Sequence, residues 1–373
     1  MLQSITYCFK SGRKERQNDQ QDHPTEFYYG MPQLQAQGFP IRLLEETDLG
    51  IEGGSGIVTR GVARILNRIL CGIPVHVMLR LLQRKNRAVL KAQARMIATT
   101  NTLGLYFSAA RRLGIMEAPV LFLAMGLLPA QGGRWTRWIY RQLLQDTMVV
   151  TISKSEQAHL EKMLARTIHY LPFGVDHRFW MPAATQRVGD YILAIGNDRH
   201  RDWATLVASW TPDLPRLRII TSLPVPQGGV NIEIIRGDWR SQIFSDEEIR
   251  EQFRGCRFVV LPVHNTFQPS GQSVCLQAMA CGKTVILSDI EGLWDRELLI
   301  HDESILLVAS GSVTALRDAV RDLISDTEKV ARIGARGRAL VESHFNTDIM
   351  SAALVKLLGS LGGTEEHSAV TAP

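Results

Sequence analysis

The sequence predicts an α/β protein of two tandem domains, each a parallel sheet covered by helices on both faces. Three observations predict it. Short, wholly apolar runs of strand length alternate with helical segments, as in strands buried on both faces. The 373 residues exceed what one ordinary core organises. The stretch "YLPFGVDHRFWMPA", residues 170–183, interrupts the alternation with proline and glycine and has no periodicity.

In chain order, residues 4–9 are a strand and 10–24 a polar loop. Residues 25–37 are helical up to Gly38, and 40–44 form a strand. Residues 57–70 are amphipathic, with Arg60, Arg64 and Arg68 on one helix face, and 79–94 make a second basic helix carrying Arg80, Arg84, Lys85, Arg87 and Lys91. Strand-like runs at 96–100, 120–124 and 148–152 have helical segments between them. A helix at 155–164 is opened by Ser153 or Ser155 as cap. Beyond the break, strands are expected at 191–195, 217–221, 232–235, 258–261, 284–287 and 305–308. Helices are expected at 203–210, 246–256, 273–281, 313–324 and 327–344. The expected division is a first domain at 1–180, a second at 181–345, and a C-terminal helix that returns to the first domain plus a small polar tail at 346–373. Two such domains in tandem leave a cleft between them.

Composition excludes several classes. Hydrophobic residues at 45% and charged residues at 21% are ordinary for a globular chain. The start lacks a basic segment followed by an apolar one, and the longest apolar run, 118–128, is too short to span a bilayer. Five cysteines form no C-x-x-C pair and no zinc spacing, so a reducing cytoplasm and no metal site are expected. Residues 1–180 carry 23 Lys and Arg against 13 Asp and Glu, net +10, while 181–373 carry 19 against 24, net −5. The basic half suits an anionic membrane face or phosphate groups, or is a solvated surface with no partner. It has no nucleic-acid motif and no interleaved aromatics, so no nucleic-acid partner is expected.

Ligands of open parallel sheets sit beyond the carboxyl ends of strands, near helix starts. Three stretches fit. In "AIGNDRHRDW" Asn197, Arg199 and Arg201 follow a strand; two guanidiniums there suit a diphosphate, or are two solvated loop arginines. In "RGDW" Asp238 and Trp239 follow another; the indole either stacks on a nucleobase or packs under the next helix. In "HNTFQPSGQS" Ser270, Gly271, Gln272 and Ser273 lie where a helix begins and its unpaired amides face a phosphate. Gln277 is one turn further on the same face, as a hydroxyl contact or an ordinary half-exposed glutamine.

These residues resemble a known family. "LQAMACGKTVILSD" is similar to the donor-site segment of retaining glycosyltransferase family 4 (group 1), "YLPFGVDHRFW" to its interdomain stretch, and "VVTISKSEQAHL" and "AIGNDRHRDWATLVASW" to two further segments. The resemblance spans residues 147–345. It implies the GT-B architecture, two Rossmann-like domains with the acceptor in the first and the donor in the second. It also implies a nucleotide-sugar donor and no metal cofactor. By position, Arg201 stands for the family's diphosphate-binding lysine. Arg199 substitutes for an arginine where Asn197 stands, Asp238 and Trp239 hold the base, and residues 271–273 hold the phosphate or sugar. The family's paired glutamates are replaced by Pro269 and Gln277, and its glycine loop after the first strand is absent. For an inverting reaction, Asp22, His23 and Glu26 are the base candidates, or are surface residues.

The expected function is hexosyl transfer from a UDP- or GDP-linked sugar to a glycan or lipid-linked acceptor, as in polysaccharide or glycolipid synthesis. The setting is cytoplasmic, peripheral to the inner membrane face. The alternatives are a catalytically silent nucleotide-binding scaffold and a nucleotide-sugar epimerase.

Overall fold

The computed structural model describes residues 3–18, 23–51, 73–128, 133–184, 189–237 and 244–361. Twelve strands lie among them: β1 Ile5–Phe9, β2 Ile41–Glu45, β3 Arg95–Ala98, β4 Val120–Ala124, β5 Thr147–Thr151, β6 His169–Tyr170, β7 Tyr191–Ile195, β8 Arg216–Thr221, β9 Ile232–Arg236, β10 Val259–Leu261, β11 Val285–Asp289 and β12 Leu306–Ala309. The helices are α1 Arg13–Asn18, α2 Met31–Ala36, α3 Val75–Met78, α4 Arg84–Lys91, α5 Asn101–Arg112, α6 Arg134–Leu144, α7 Lys154–Leu164, α8 Trp203–Ser209, α9 Asp246–Gly255, α10 Gln272–Ala280, α11 Val313–Ser325, α12 Thr327–His344 and α13 Thr347–Ser360.

The strands form two six-stranded sheets, ordered β2-β1-β3-β4-β5-β6 and β12-β11-β10-β7-β8-β9. Every pairing within them is parallel. Central strands β1, β4 and β7 are buried along their whole length, so their apolar runs need no polar alternation. The chain leaves the first sheet after β6 and lies beside its own return path. The Val175 amide donates to the Phe345 carbonyl at 2.8 Å and the Thr347 amide to the Val175 carbonyl at 3.2 Å. Helix α13 then packs on α2 of the first sheet through buried Met350 and Leu354, and Arg95 Nη1 donates to the Leu358 carbonyl at 3.1 Å. One apolar cluster runs through both sheets, from Tyr7 and Phe9 through Trp180 to Leu276 and Leu287. The two halves therefore share a core and bound a cleft.

Three segments differ from expectation. The 10–24 loop contains α1, because Glu45 at the end of β2 receives the Arg13 and Lys14 amides on one carboxylate oxygen at 2.6 and 2.8 Å. A carboxylate at a helix start satisfies the open donors there, and it comes from a distant strand. Residues 25–37 are not one helix; Tyr29 and Gly30 take positive φ of 48° and 78°, ending a short 3-10 turn at Glu26–Tyr28 before α2. The 79–94 helix is likewise a 3-10 turn, Leu79–Leu82, and then α4, parted by an extended Gln83. Buried Asn86 fixes that break by donating to the Leu49 and Arg80 carbonyls at 2.9 and 3.0 Å. The 57–70 segment lies outside the described residues. Among the described residues, no helix is long and apolar enough to cross a membrane.

Candidate active site

A cleft of about 1290 Å³ opens between the carboxyl ends of the two sheets. Its first wall comes from the segment after β1, with Lys10, Arg13, Arg16 and His23, and from Phe27, Tyr29, Met125 and Phe173. Its second wall is Gly196, Asn197, Asp198, Arg201, Asp246, Gln268, Pro269 and the start of α10.

Arg201 dominates the second wall. The turn after β7 is tied down by bonds from the Arg201 amide to the Asp198 carbonyl at 3.0 Å and from the Asp202 amide to the Pro262 carbonyl at 3.0 Å. The turn brings the guanidinium against Gly196, where a Cβ would lie 2.4 Å from Nε, and against Gly271, where it would lie 3.1 Å from Nη1. Both glycines have positive φ, so neither place suits a side chain. Arg201 is 6% exposed, and its Nε and Nη1 have no hydrogen-bond partner. Burial pushes its pKa down to about 10, with Asp198 opposing. A desolvated cation with open donors at a helix start is a preorganised anion site.

Gly271 caps the start of helix α10, and the Gln272 amide turns back to the Pro269 carbonyl at 3.3 Å. The amides that follow are the open donors of a first helical turn. Gln272 spans the cleft: its Nε2 donates to the Ile152 carbonyl of the first sheet at 3.0 Å, while Oε1 is buried without a partner. Ser273 lines the cleft beside it. Ser270 is buried behind this wall, its hydroxyl 3.1 Å from His200 Nδ1. Asn197 lines the cleft and pins the ends of neighbouring strands, its Oδ1 accepting from the Ser222 amide at 2.6 Å and the Thr221 hydroxyl at 3.1 Å.

Several sequence expectations change here. Arg199 is exposed and is not part of the cleft wall, whereas Asn197, Asp198 and Arg201 of the same turn line it. Glu26 is wholly buried behind the wall, where it accepts from Trp180 Nε1 at 2.8 Å, Gln277 Nε2 at 2.9 Å and the Asp176 amide at 3.2 Å. Burial raises its pKa, with the Gln277 and Trp180 bonds opposing. Gln277 is 4% exposed rather than half-exposed, and its amide nitrogen is spent on Glu26 across the domain interface. Its remaining surface lines the cleft. A carboxylate in place of this amide would face buried Glu26, which gives a physical reason for the glutamine. His23 does line the cleft, its Nδ1 2.9 Å from Asp246 Oδ2. Asp22, Asp238 and Trp239 lie outside the described residues.

The wall also contains residues outside the expected site. Lys10, Arg13 and Arg16 fall in the 10–24 segment expected as a loop, and their signal in the sequence is a run of cations just beyond a strand end. Asp246 was hidden because its partners, Arg16 and His23, are more than 200 residues away.

The family model of the glycosyl transferases group 1 matches residues 242–340, which hold α9, α10 and most of the second wall. That part of the chain is similar to the group 1 glycosyl transferases. The alpha-maltose-1-phosphate synthase of Mycobacterium tuberculosis is 24% identical over 210 residues, covering 48% of this chain and 53% of that protein. The chain thus spans about half the length of the curated relatives it matches. Among solved structures, sucrose-phosphate synthase from Thermosynechococcus elongatus superposes with a TM-score of 0.69 at 17% identity, over 96% of this chain and 98% of that one. Anabaena HepE, solved in complex with UDP and glucose, gives 0.66 at 13%, over 96% and 100%. The fold is therefore GT-B: two parallel α/β domains facing each other across a cleft.

Proposed function

We propose that this chain transfers a glycosyl group from a nucleoside diphosphate sugar, UDP- or GDP-linked, to a hydroxyl of a glycan or lipid-linked acceptor. The observation that carries the reading is Arg201, buried with two open donors beside the α10 start in the cleft wall. A diphosphate satisfies those donors and the helix amides together. As the sugar C1–O bond breaks, the diphosphate leaves with the electron pair, and Arg201 and the helix start stabilise the charge that develops. The acceptor oxygen bonds to C1, and its proton passes to a base in the cleft, for which His23, oriented by Asp246, is the side chain in place. Asn197, Gln272, Ser273 and Gln277 orient the donor, and no metal is needed in this scheme. Anabaena HepE, which shares the fold, has been solved with UDP-glucose, which favours a uridine donor.

The test is incubation of the protein with a panel of UDP- and GDP-sugars, with and without candidate acceptors, following nucleoside diphosphate release. Release from one donor, accelerated by an acceptor that gains the sugar, supports transfer. Release with no acceptor product points to the epimerase, and no release from any donor contradicts the enzyme reading.

The first domain, in this proposal, rests on an anionic membrane face. Helix α6 carries Arg134, Arg137 and Arg141 and no acidic residue, and its Trp135 and Trp138 are 56% and 53% exposed and stacked at 5.1 Å. Arg84, Lys85, Arg87 and Lys91 of α4 are also exposed. Tryptophan with arginine is the composition of interfacial anchors. Co-sedimentation should occur with phosphatidylglycerol vesicles and not with phosphatidylcholine ones, and should fall when both tryptophans are replaced by serine. Equal partition to both vesicles would contradict this reading.

A further inference from the structure

The first wall of the cleft holds a second cationic centre, apart from Arg201 on the second wall. Four cations lie on the segment leaving β1. Lys14 is paired with Asp48 at 2.6 Å and Arg16 is paired with Asp246. The other two, Lys10 and Arg13, line the cleft and have no carboxylate within ion-pair distance among the described residues. The partners of Lys14 and Arg16 come from other segments; the segment's own described acid, Glu15, also lines the cleft and forms no ion pair among the described residues.

Arg13 is also held in place. Its amide is bonded to Glu45 at 2.6 Å and its carbonyl accepts from the Tyr28 hydroxyl at 3.3 Å. Its guanidinium lies over the Phe27 and Tyr28 rings, 5.5 and 5.8 Å from their centroids. The rings fix the plane and leave its edge donors unspent. Phe27, Tyr29 and Phe173 line the same wall, the first two rings tilted at 45° and 59° to that of Phe173, and give a sugar ring an apolar surface to pack against. Arg201 stands on the opposite wall, so the cleft presents two separate cationic centres to two ligands. Its volume, about 1290 Å³, exceeds the roughly 300–1,000 Å³ of a pocket for one small molecule.

We propose that the acceptor is itself anionic and that Lys10 and Arg13 bind its phosphate group while the aromatic wall packs against the adjoining sugar or carrier. This rests on the transferase reading for the identity of the ligand as acceptor, but the anion site stands on its own geometry. Phosphate is the shared chemistry of two sources, a soluble sugar phosphate and a polyprenyl phosphate carrier.

The test is calorimetric titration of the full chain with inorganic phosphate, before and after saturation with UDP or GDP. Wild type should bind phosphate at a site that survives nucleotide saturation. Arg13→Ala, and separately Lys10→Ala at an exposed side chain, should weaken that binding by about tenfold while nucleotide affinity stays within about twofold. Melting curves confirm that both variants fold. Complete displacement of phosphate by nucleotide, or wild-type phosphate binding in both variants, would overturn the proposal. If neither nucleotide binds but phosphate still depends on Arg13 and Lys10, the anion site holds and the transferase reading fails. Titrations with glucose 1-phosphate and with a polyprenyl phosphate in neutral detergent then distinguish the two sources: the one that binds more tightly than inorganic phosphate, with the same dependence on Arg13, is the acceptor class.

Discussion

Gln277→Glu changes one atom pair and isolates the contact that joins the two domains behind the cleft. In the wild-type chain the amide of Gln277 donates to buried Glu26 at 2.9 Å, and Trp180 donates to the same oxygen at 2.8 Å. The variant replaces a donor by a second carboxylate. Two charges about 4 Å apart at an effective dielectric near 20 repel by about 4 kcal/mol. The pair avoids this by keeping a proton. Holding an ordinary carboxyl protonated at pH 7 costs about 3.5 kcal/mol, which caps the loss. Once protonated, the new carboxyl donates to Glu26 as the amide did, so the cost disappears in acid. The sign follows from linkage: the added carboxyl has a raised pKa in the fold, so the variant matches wild type below the ordinary carboxylate range and loses stability as pH rises above it. Urea denaturation at pH 4.5 and pH 7.5 measures this. The expected deficit is under about 1 kcal/mol at the lower pH and about 3 kcal/mol at the higher. The double variant Glu26→Gln with Gln277→Glu should recover part of the loss. It cannot recover all of it, because the new amide at 26 turns a donor toward Trp180 Nε1 or the Asp176 amide. An equal deficit at both pH values would refute the direct contact.

Two further outcomes follow from buried groups. Burial raises the Glu156 pKa to about 7, against the opposing bond from the Leu127 amide, and its Oε2 has no partner. Its stabilising neutral form is fully present below the ordinary carboxylate range and is lost as pH rises through about 7, so Glu156→Gln should gain on wild type by up to about 3 kcal/mol between pH 5 and 8. Parallel denaturation curves across that range would contradict it. Gly174→Ala places a Cβ 2.0 Å from the Asn346 carbonyl oxygen, where the outgoing and returning chains touch, and should cost about 1–3 kcal/mol in urea denaturation; a neutral change would show that these two segments yield freely.

The fold was legible because both sheets are buried on both faces, and such strands read as bare apolar runs. Those at 191–195 and 120–124 need no partner information to be recognised. The interrupted segments were not legible, since what divides 25–37 is the backbone at Tyr29 and Gly30, and what starts α1 is Glu45, some thirty residues on. The second wall was half legible. A strand end followed by two arginines announced an anion site, but which arginine turns inward depends on the Asp198 turn and its bonds to residues 262–264, and that is tertiary. The position of Gln277, one turn into the helix on the cleft face, is legible. Its partner lies 251 residues away, so its first duty, holding Glu26, was invisible. That Lys10 and Arg13 form no ion pair among the described residues was hidden for the same reason, because pairing depends on distant partners.

The central claim is that Arg201 is kept buried and unpaired for a diphosphate. Calorimetric titration of UDP and GDP into wild type and Arg201→Met tests it most directly. Burial holds Arg201 near 10 against an ordinary value of 12.5, a cost of about 3 kcal/mol to the empty fold. Removing the charge should therefore leave the denaturation midpoint unchanged or higher. It should also remove charge-assisted bonds worth about 1.5–3 kcal/mol, weakening nucleotide binding by about 10- to 100-fold. Loss of binding with retained stability is the predicted result. Nucleotide binding undiminished in Arg201→Met, or a wild-type protein that binds neither nucleotide, would contradict the account.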